Sequence, residues 1–140
     1  MNREIKFRGK RTDNDEWVFG GYMKNKNGIY ITDTDSFHLN KTYKNYLVIP
    51  ETVGQFTGLC DKNGVEIYEG DIIRLDDEYR KLISSLDENL CGRDCLVDFR
   101  DGSFMFGRNR YNPNVLDSYL WLSSEHCEVI GNIYEVENEV

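Results

Sequence analysis

Residues Gln55 to Leu75, QFTGLCDKNGVEIYEGDIIRL, narrow the possible folds more than any other stretch of the chain. Asp61-Lys62-Asn63-Gly64 sets an Asx residue at the start of a reversal and an Asn-Gly pair at its end, where positive φ costs little. That is a hairpin signal. Val65-Glu66-Ile67 alternates apolar and polar, Tyr68-Glu69-Gly70-Asp71 breaks the alternation, and Ile72-Ile73-Arg74-Leu75 resumes as a β-branched extended run. A glycine between two acids ahead of a strand reads as a tight turn feeding it. Asp61, Asn63, Gly64, Glu69, Gly70 and Asp71 are therefore read as a structural turn motif, because Gly and Asp serve the backbone far more often than catalysis.

The run Val48 to Leu59, VIPETVGQFTGL, followed by Asp61 to Gly64 and Ile67 to Asp71, resembles the signature of the YopX family of phage and prophage proteins. Arg3 to Arg8, Val97-Asp98-Phe99 with Asp101 to Phe104, and Glu128 to Tyr134 sit in that family's order, so the likeness spans nearly the whole chain. The resemblance implies a β-rich body containing an SH3-like barrel, and a home in low-GC Gram-positive bacteria or their phages. It carries over no activity, cofactor or catalytic residue. The chain departs from the family at Cys60, where a charged or polar residue is commoner, and in the inserted segment Asp76 to Asp94.

A length of 140 residues fits one domain, or two small ones sharing a core. The net charge of −8 opposes a general nucleic-acid binder, which needs clustered cations. One local exception is Arg3, Lys6, Arg8, Lys10 and Arg11 against the single acid Glu4. Strand alternation offers a plainer reading, with Lys6 and Arg8 on the outer face of a strand that buries Ile5 and Phe7. The polar N-terminus and the lack of any apolar run near ~20 residues predict a cytosolic protein whose four cysteines are reduced.

In chain order, Asn2 to Arg8, Glu16 to Phe19, Tyr22-Met23 and Ile29 to Ile31 read as strands, the last two joined by the Asn25-Lys26-Asn27-Gly28 turn. Asp33 to Tyr46 reads as a long loop with a short strand, and Tyr46 to Ile49 as a strand stopped by Pro50. Residues 1–60 thus form a β meander. From Asp76 to Leu90 the period changes: Tyr79, Leu82, Ile83, Leu86 and Leu90 fall on one face of a helix whose first turn is acidic. This stripe packs either on the protein's own barrel or against a partner subunit, and it is the candidate oligomer interface. Five further runs, Ile72 to Leu75, Cys95 to Phe99, Phe104 to Phe106, Leu120 to Leu122 and Val129 to Tyr134, suffice to close a small barrel over residues 61–140. The expected fold is mainly β: an N-terminal meander packed on an SH3-like barrel, with an amphipathic helix inserted at 76–90.

Cys91, Cys95, His126 and Cys127 invite a zinc reading, but adjacent His126 and Cys127 point opposite ways along a strand, so free thiols are preferred. Glu66, Glu69, Asp71, Asp98 and Asp101 read as solvated turn acids, and no nucleophile elbow or phosphate loop is present in the sequence. The sequence thus predicts a non-enzymatic phage or prophage accessory protein without a cofactor, a homo-oligomer acting through contacts with a phage or host protein. The alternative is a nucleic-acid-associated protein. It would use Arg3, Lys6 and Arg8 with Arg100, Arg108 and Arg110, the last three close in sequence to Phe104, Phe106, Tyr111, Tyr119 and Trp121.

Overall fold

A computed structural model describes residues 4–33, 44–84, 94–100, 102–106, 118–119 and 124–135. The chain is mainly β and divides into two compact units, Met1–Gly58 and Leu59–Val140.

The first unit contains β1 (Phe7–Lys10), β2 (Trp17–Asn25), β3 (Gly28–Asp33), β4 (Asn45–Leu47) and most of β5 (Gly54–Cys60), antiparallel in the order β4-β3-β2-β1-β5. The predicted hairpin is β2–β3, closed at Asn25↔Gly28. After β4 the chain returns to β1: Val48 bridges Arg11, and the Ile49 amide donates to the Lys10 carbonyl at 2.8 Å. Pro50–Thr52 is a 3-10 turn. Buried Thr52 holds it, its hydroxyl accepting from the Lys10 amide at 2.9 Å and donating to the Ile49 carbonyl at 2.6 Å. Ile31, Val48 and Phe56, 0%, 1% and 6% exposed, are the buried apolar residues of this unit.

The first strand starts later than its sequence reading, at Phe7 rather than Asn2, and Arg8, on the face opposite Phe7 as alternation predicts, does not face solvent. Arg8 is buried at 7% exposure while Ile5, ahead of the strand, is 53% exposed. Arg8 can lie inside because its guanidinium rests 4.8 Å from the Trp17 ring centroid, replacing water by an aromatic face.

The second unit follows the Asp61–Gly64 reversal with β6 (Glu66–Tyr68), β7 (Asp71–Leu75), α1 (Asp77–Ser84), β8 (Asp94–Arg100), β9 (Ser103–Phe106), β10 (Ser118–Tyr119) and β11 (Cys127–Asn132). Its larger sheet runs β10-β9-β8-β7-β11, antiparallel throughout. Asp71, Ile73 and Leu75 alternate inward along β7, and Ile73 and Leu75 join Ile67, Cys95, Val97, Phe106 and Cys127 in one core. Among the described residues nothing joins β10 to β11, so this sheet is open where the sequence predicts a closed barrel. The expected strand Leu120 to Leu122 lies outside the described residues.

Candidate functional site

The organising stretch becomes a set of backbone anchors. Gly64 adopts φ +81°, a left-handed angle that a β-carbon disfavours, and its amide donates to the Asp61 carbonyl at 3.0 Å. The Asp61 carboxylate, 6% exposed, accepts from three amides: Asn63 at 2.8 Å and Val65 at 2.9 Å on Oδ1, and Val129 at 2.9 Å on Oδ2. It therefore holds its own turn and also β11, 68 residues away.

Asp71, 1% exposed, accepts from the Tyr68 amide at 2.7 Å. Gly70 at φ +95° donates to the Val97 carbonyl at 2.8 Å and accepts from the Ile133 amide at 3.0 Å. Asp71 is thus no solvated turn acid, because a buried carboxylate is tolerated when amides replace its lost water. Glu66 and Glu69 lie half-buried beside it in sequence, Asp98 is half-buried on β8, and Asp101 lies outside the described residues.

At the start of α1, Lys62 Nζ meets Asp76 Oδ1 at 2.6 Å, and this hydrogen bond holds the ammonium above its ordinary pKa. Arg74 grips Asp94 through Nε at 2.9 Å and Nη2 at 3.3 Å. Both cations, with Leu75, Asp76, Asp77 and Glu128, line a recess of about 210 Å³. As an anion site it is self-neutralised, because each cation already faces a carboxylate.

Of the candidate oligomer residues, Tyr79 packs on the unit's own core, its ring stacked on His126 at 4.5 Å and 7°. The side chains of Leu82 and Ile83, and the whole of Leu86 and Leu90, lie outside the described residues. Cys95 and Cys127 are fully buried in the core, whereas Cys60 is exposed. Burial pushes the Cys127 thiol up to about 12, the carboxylates of Asp61 and Asp76 adding to the rise and Lys62 opposing it. Among the described residues no three His, Cys, Asp or Glu side chains are grouped to hold a metal, and Cys91 lies outside them.

Of the basic residues, Lys6 sits 5.1 Å from the Phe56 ring centroid and pairs with Glu4 at 3.5 Å. Arg3, Arg108, Arg110 and the Arg100 side chain lie outside the described residues, as do Tyr111, Trp121 and the Tyr119 side chain. Phe99 is 53% exposed and meets Phe104 edge-on at 5.1 Å. Sequence reasoning names Lys10 only within the N-terminal run of cations and does not single out Trp17, Phe19 or Leu47 as site residues. The signal for them is strand alternation, and it becomes readable once the β1–β2 register is known.

No helix of the described residues is long and apolar enough to cross a membrane. In the comparisons with known proteins, the family model described as YopX protein matches residues 6–138. No curated protein matches the chain.

Proposed function

The chain belongs to the YopX family, and from that premise we propose that it is a non-enzymatic accessory protein of a phage or prophage. It acts in the host cytoplasm through protein contacts, as a homo-oligomer. One observation carries the non-enzymatic part: the signature acids Asp61 and Asp71 are buried acceptors for backbone amides. A carboxylate so engaged is a poor general base, because it would have to leave those amides unsatisfied to take a proton.

The oligomer surface is the part of the helical stripe from Leu82 onward, since Tyr79 already anchors α1 on its own unit. Light scattering on the eluting protein tests this. The wild type is expected at a multiple of 16.4 kDa and Leu82→Asp/Leu86→Asp at the monomer mass. A monomer in both, equally folded, removes the oligomer.

We also infer an SH3-like barrel, on the N-terminal strands rather than in the C-terminal half. The order β4-β3-β2-β1-β5, the 3-10 turn before β5 and the Arg11–Val48 bridge support it. Chemical shifts and amide contacts measured across Arg11 and Val48 would test that closure.

A further inference from the structure

The two units differ in charge. Nine of the chain's 17 Lys and Arg, but only seven of its 25 Asp and Glu, fall in residues 1–58, so this part is net positive within a chain of net charge −8. The strand register then sorts those charges. Directly opposed residues of an antiparallel ladder share a face. The pairs Arg8↔Phe19, Lys10↔Trp17, Met23↔Tyr30 and Tyr30↔Leu47 therefore define one face of the first unit's sheet.

Core residue Ile31 is opposed to Tyr22 and Tyr46 and faces the other way. On the outer face Phe19 is 47%, Leu47 40% and Met23 37% exposed, with Trp17 and Tyr30 half-buried and, towards β5, Arg8 and Phe56 buried. Lys6 joins this face through its contact with Phe56. Asp33 is the one acid in strands β1 to β5; it pairs with Gly20 and so belongs to the opposite face. Among the described residues of these strands, the outer face carries cations and no carboxylate, and exposed Glu4, ahead of β1, pairs with Lys6 at 3.5 Å.

We propose that the outer face of the first sheet, formed by Lys6, Lys10, Trp17, Phe19 and Tyr30 with buried Arg8 supporting Trp17, binds single-stranded nucleic acid without sequence readout. Rings stack on bases and cations follow the phosphates, the pairing that such binding requires. Trp17 and Phe19, two residues apart on one strand, stand about 7 Å from each other along β2, a spacing that lets successive bases of an extended strand each meet a ring. Cation–ring contacts hold the platform in shape: Arg8 and Lys10 lie 4.8 and 5.9 Å from the Trp17 centroid. A duplex keeps its bases stacked inside and would engage the cations without the rings. The site draws on residues of the first unit alone, so its test does not depend on the oligomer proposal.

The test is fluorescence anisotropy with a labelled oligothymidylate longer than the roughly 4 to 16 nucleotides that one such surface covers. It is run on the full chain between about 50 and 200 mM salt. Phe19→Ala, a change at an exposed position, is expected to weaken binding about 5- to 100-fold, and Phe19→Tyr to restore it. Lys6→Gln/Lys10→Gln is expected to lower the salt slope by about 1.4, two single-strand phosphate contacts. Phe99→Ala, in the second sheet, and Leu82→Asp/Leu86→Asp leave affinity per chain unchanged.

Several results overturn the proposal: no binding at low salt, equal affinity for a duplex of the same length, or binding that both the Phe19 and the lysine variants leave intact. So does a dimer that Phe19→Asp converts to monomer in a protein that binds no oligonucleotide, which would make this face a contact between copies. A labelled acidic peptide that binds where the oligonucleotide does not assigns the face to a protein partner instead.

Discussion

The first and second units treat charged side chains in opposite ways. In the second, buried carboxylates turn inward to the backbone: Asp61 accepts three amides and Asp71 accepts the Tyr68 amide. In the first, cations lie against aromatic rings: Lys6 on Phe56, Arg8 and Lys10 on Trp17, and Arg11 4.4 Å from the Tyr46 centroid. A carboxylate fixes chain segments by short, directional bonds, whereas a cation over a ring tolerates sliding and is held without directional bonds. One half is therefore built for rigidity at a turn, the other to present a surface.

The comparison predicts that the largest loss of stability follows Asp61→Ala. Three part-buried amides, two local and one from Val129, lose their acceptor together, and each hydrogen bond to a charged group contributes about 1.5–3 kcal/mol. A loss of about 3–5 kcal/mol is expected in urea unfolding, with Asp61→Asn costing less because one oxygen still serves Asn63 and Val65. If Asp61→Ala unfolds with the wild-type midpoint, the turn is not held by its carboxylate and the contrast between the units disappears.

Next in size is Arg8→Ala, at about 2 kcal/mol, since a largely desolvated cation–ring contact and the packing of its stem are both removed. Arg8→Lys is expected to recover part of this and not all, because an ammonium cannot lie flat on Trp17. Full recovery by lysine would mean that charge rather than stacking matters at this position.

These two residues also mark what the sequence could and could not say. The Asp-x-Asn-Gly reversal, strands β7, β8 and β9 and the start of α1 were legible because turn chemistry and periodicity are local. Strand β5, Gly54–Cys60, carries no clear strand pattern of its own, since Gly54 and Gly58 interrupt its apolar residues and its place is fixed by pairing with β1. The Asp61–Val129 bond spans 68 residues, so no local pattern reports it. Arg8 breaks the usual rule that arginine faces water, and it does so through Trp17, a residue brought alongside only by the β1–β2 register. Long-range pairing decides both cases.

A smaller, pH-dependent effect belongs to the second unit. The Cys127 thiol rises from an ordinary 9.0 to about 12 because burial and nearby Asp61 and Asp76 disfavour the thiolate. A folded pKa above the unfolded one makes its contribution whole below pH 9 and lost as pH climbs towards 12. Cys127→Ala is therefore expected to flatten the alkaline fall in unfolding midpoint between those limits. In native protein at pH 8, an alkylating reagent is expected to modify Cys60 and to spare Cys95 and Cys127, as peptide mass spectrometry would show. Rapid modification of Cys127 would mean that the β7–β11 core opens readily.

The smallest effect is expected at Asp13, where the geometry looks strongest. Arg11 grips its carboxylate with Nε at 2.9 Å and Nη2 at 2.6 Å, and the pairing holds the Asp13 carboxyl below its usual range. A depressed carboxylate stabilises above its unfolded pKa, and that contribution is lost as pH falls through the folded value. Here the pair is exposed, so water and salt screen most of the attraction. The Arg11 guanidinium also keeps its place over Tyr46 when the carboxylate goes. Asp13→Asn is accordingly expected to leave both the unfolding midpoint and the acid limb unchanged within error. An Asp13→Asn protein as destabilised as Arg8→Ala would show that ion pairing, rather than the aromatic rings, anchors the cations of the first unit.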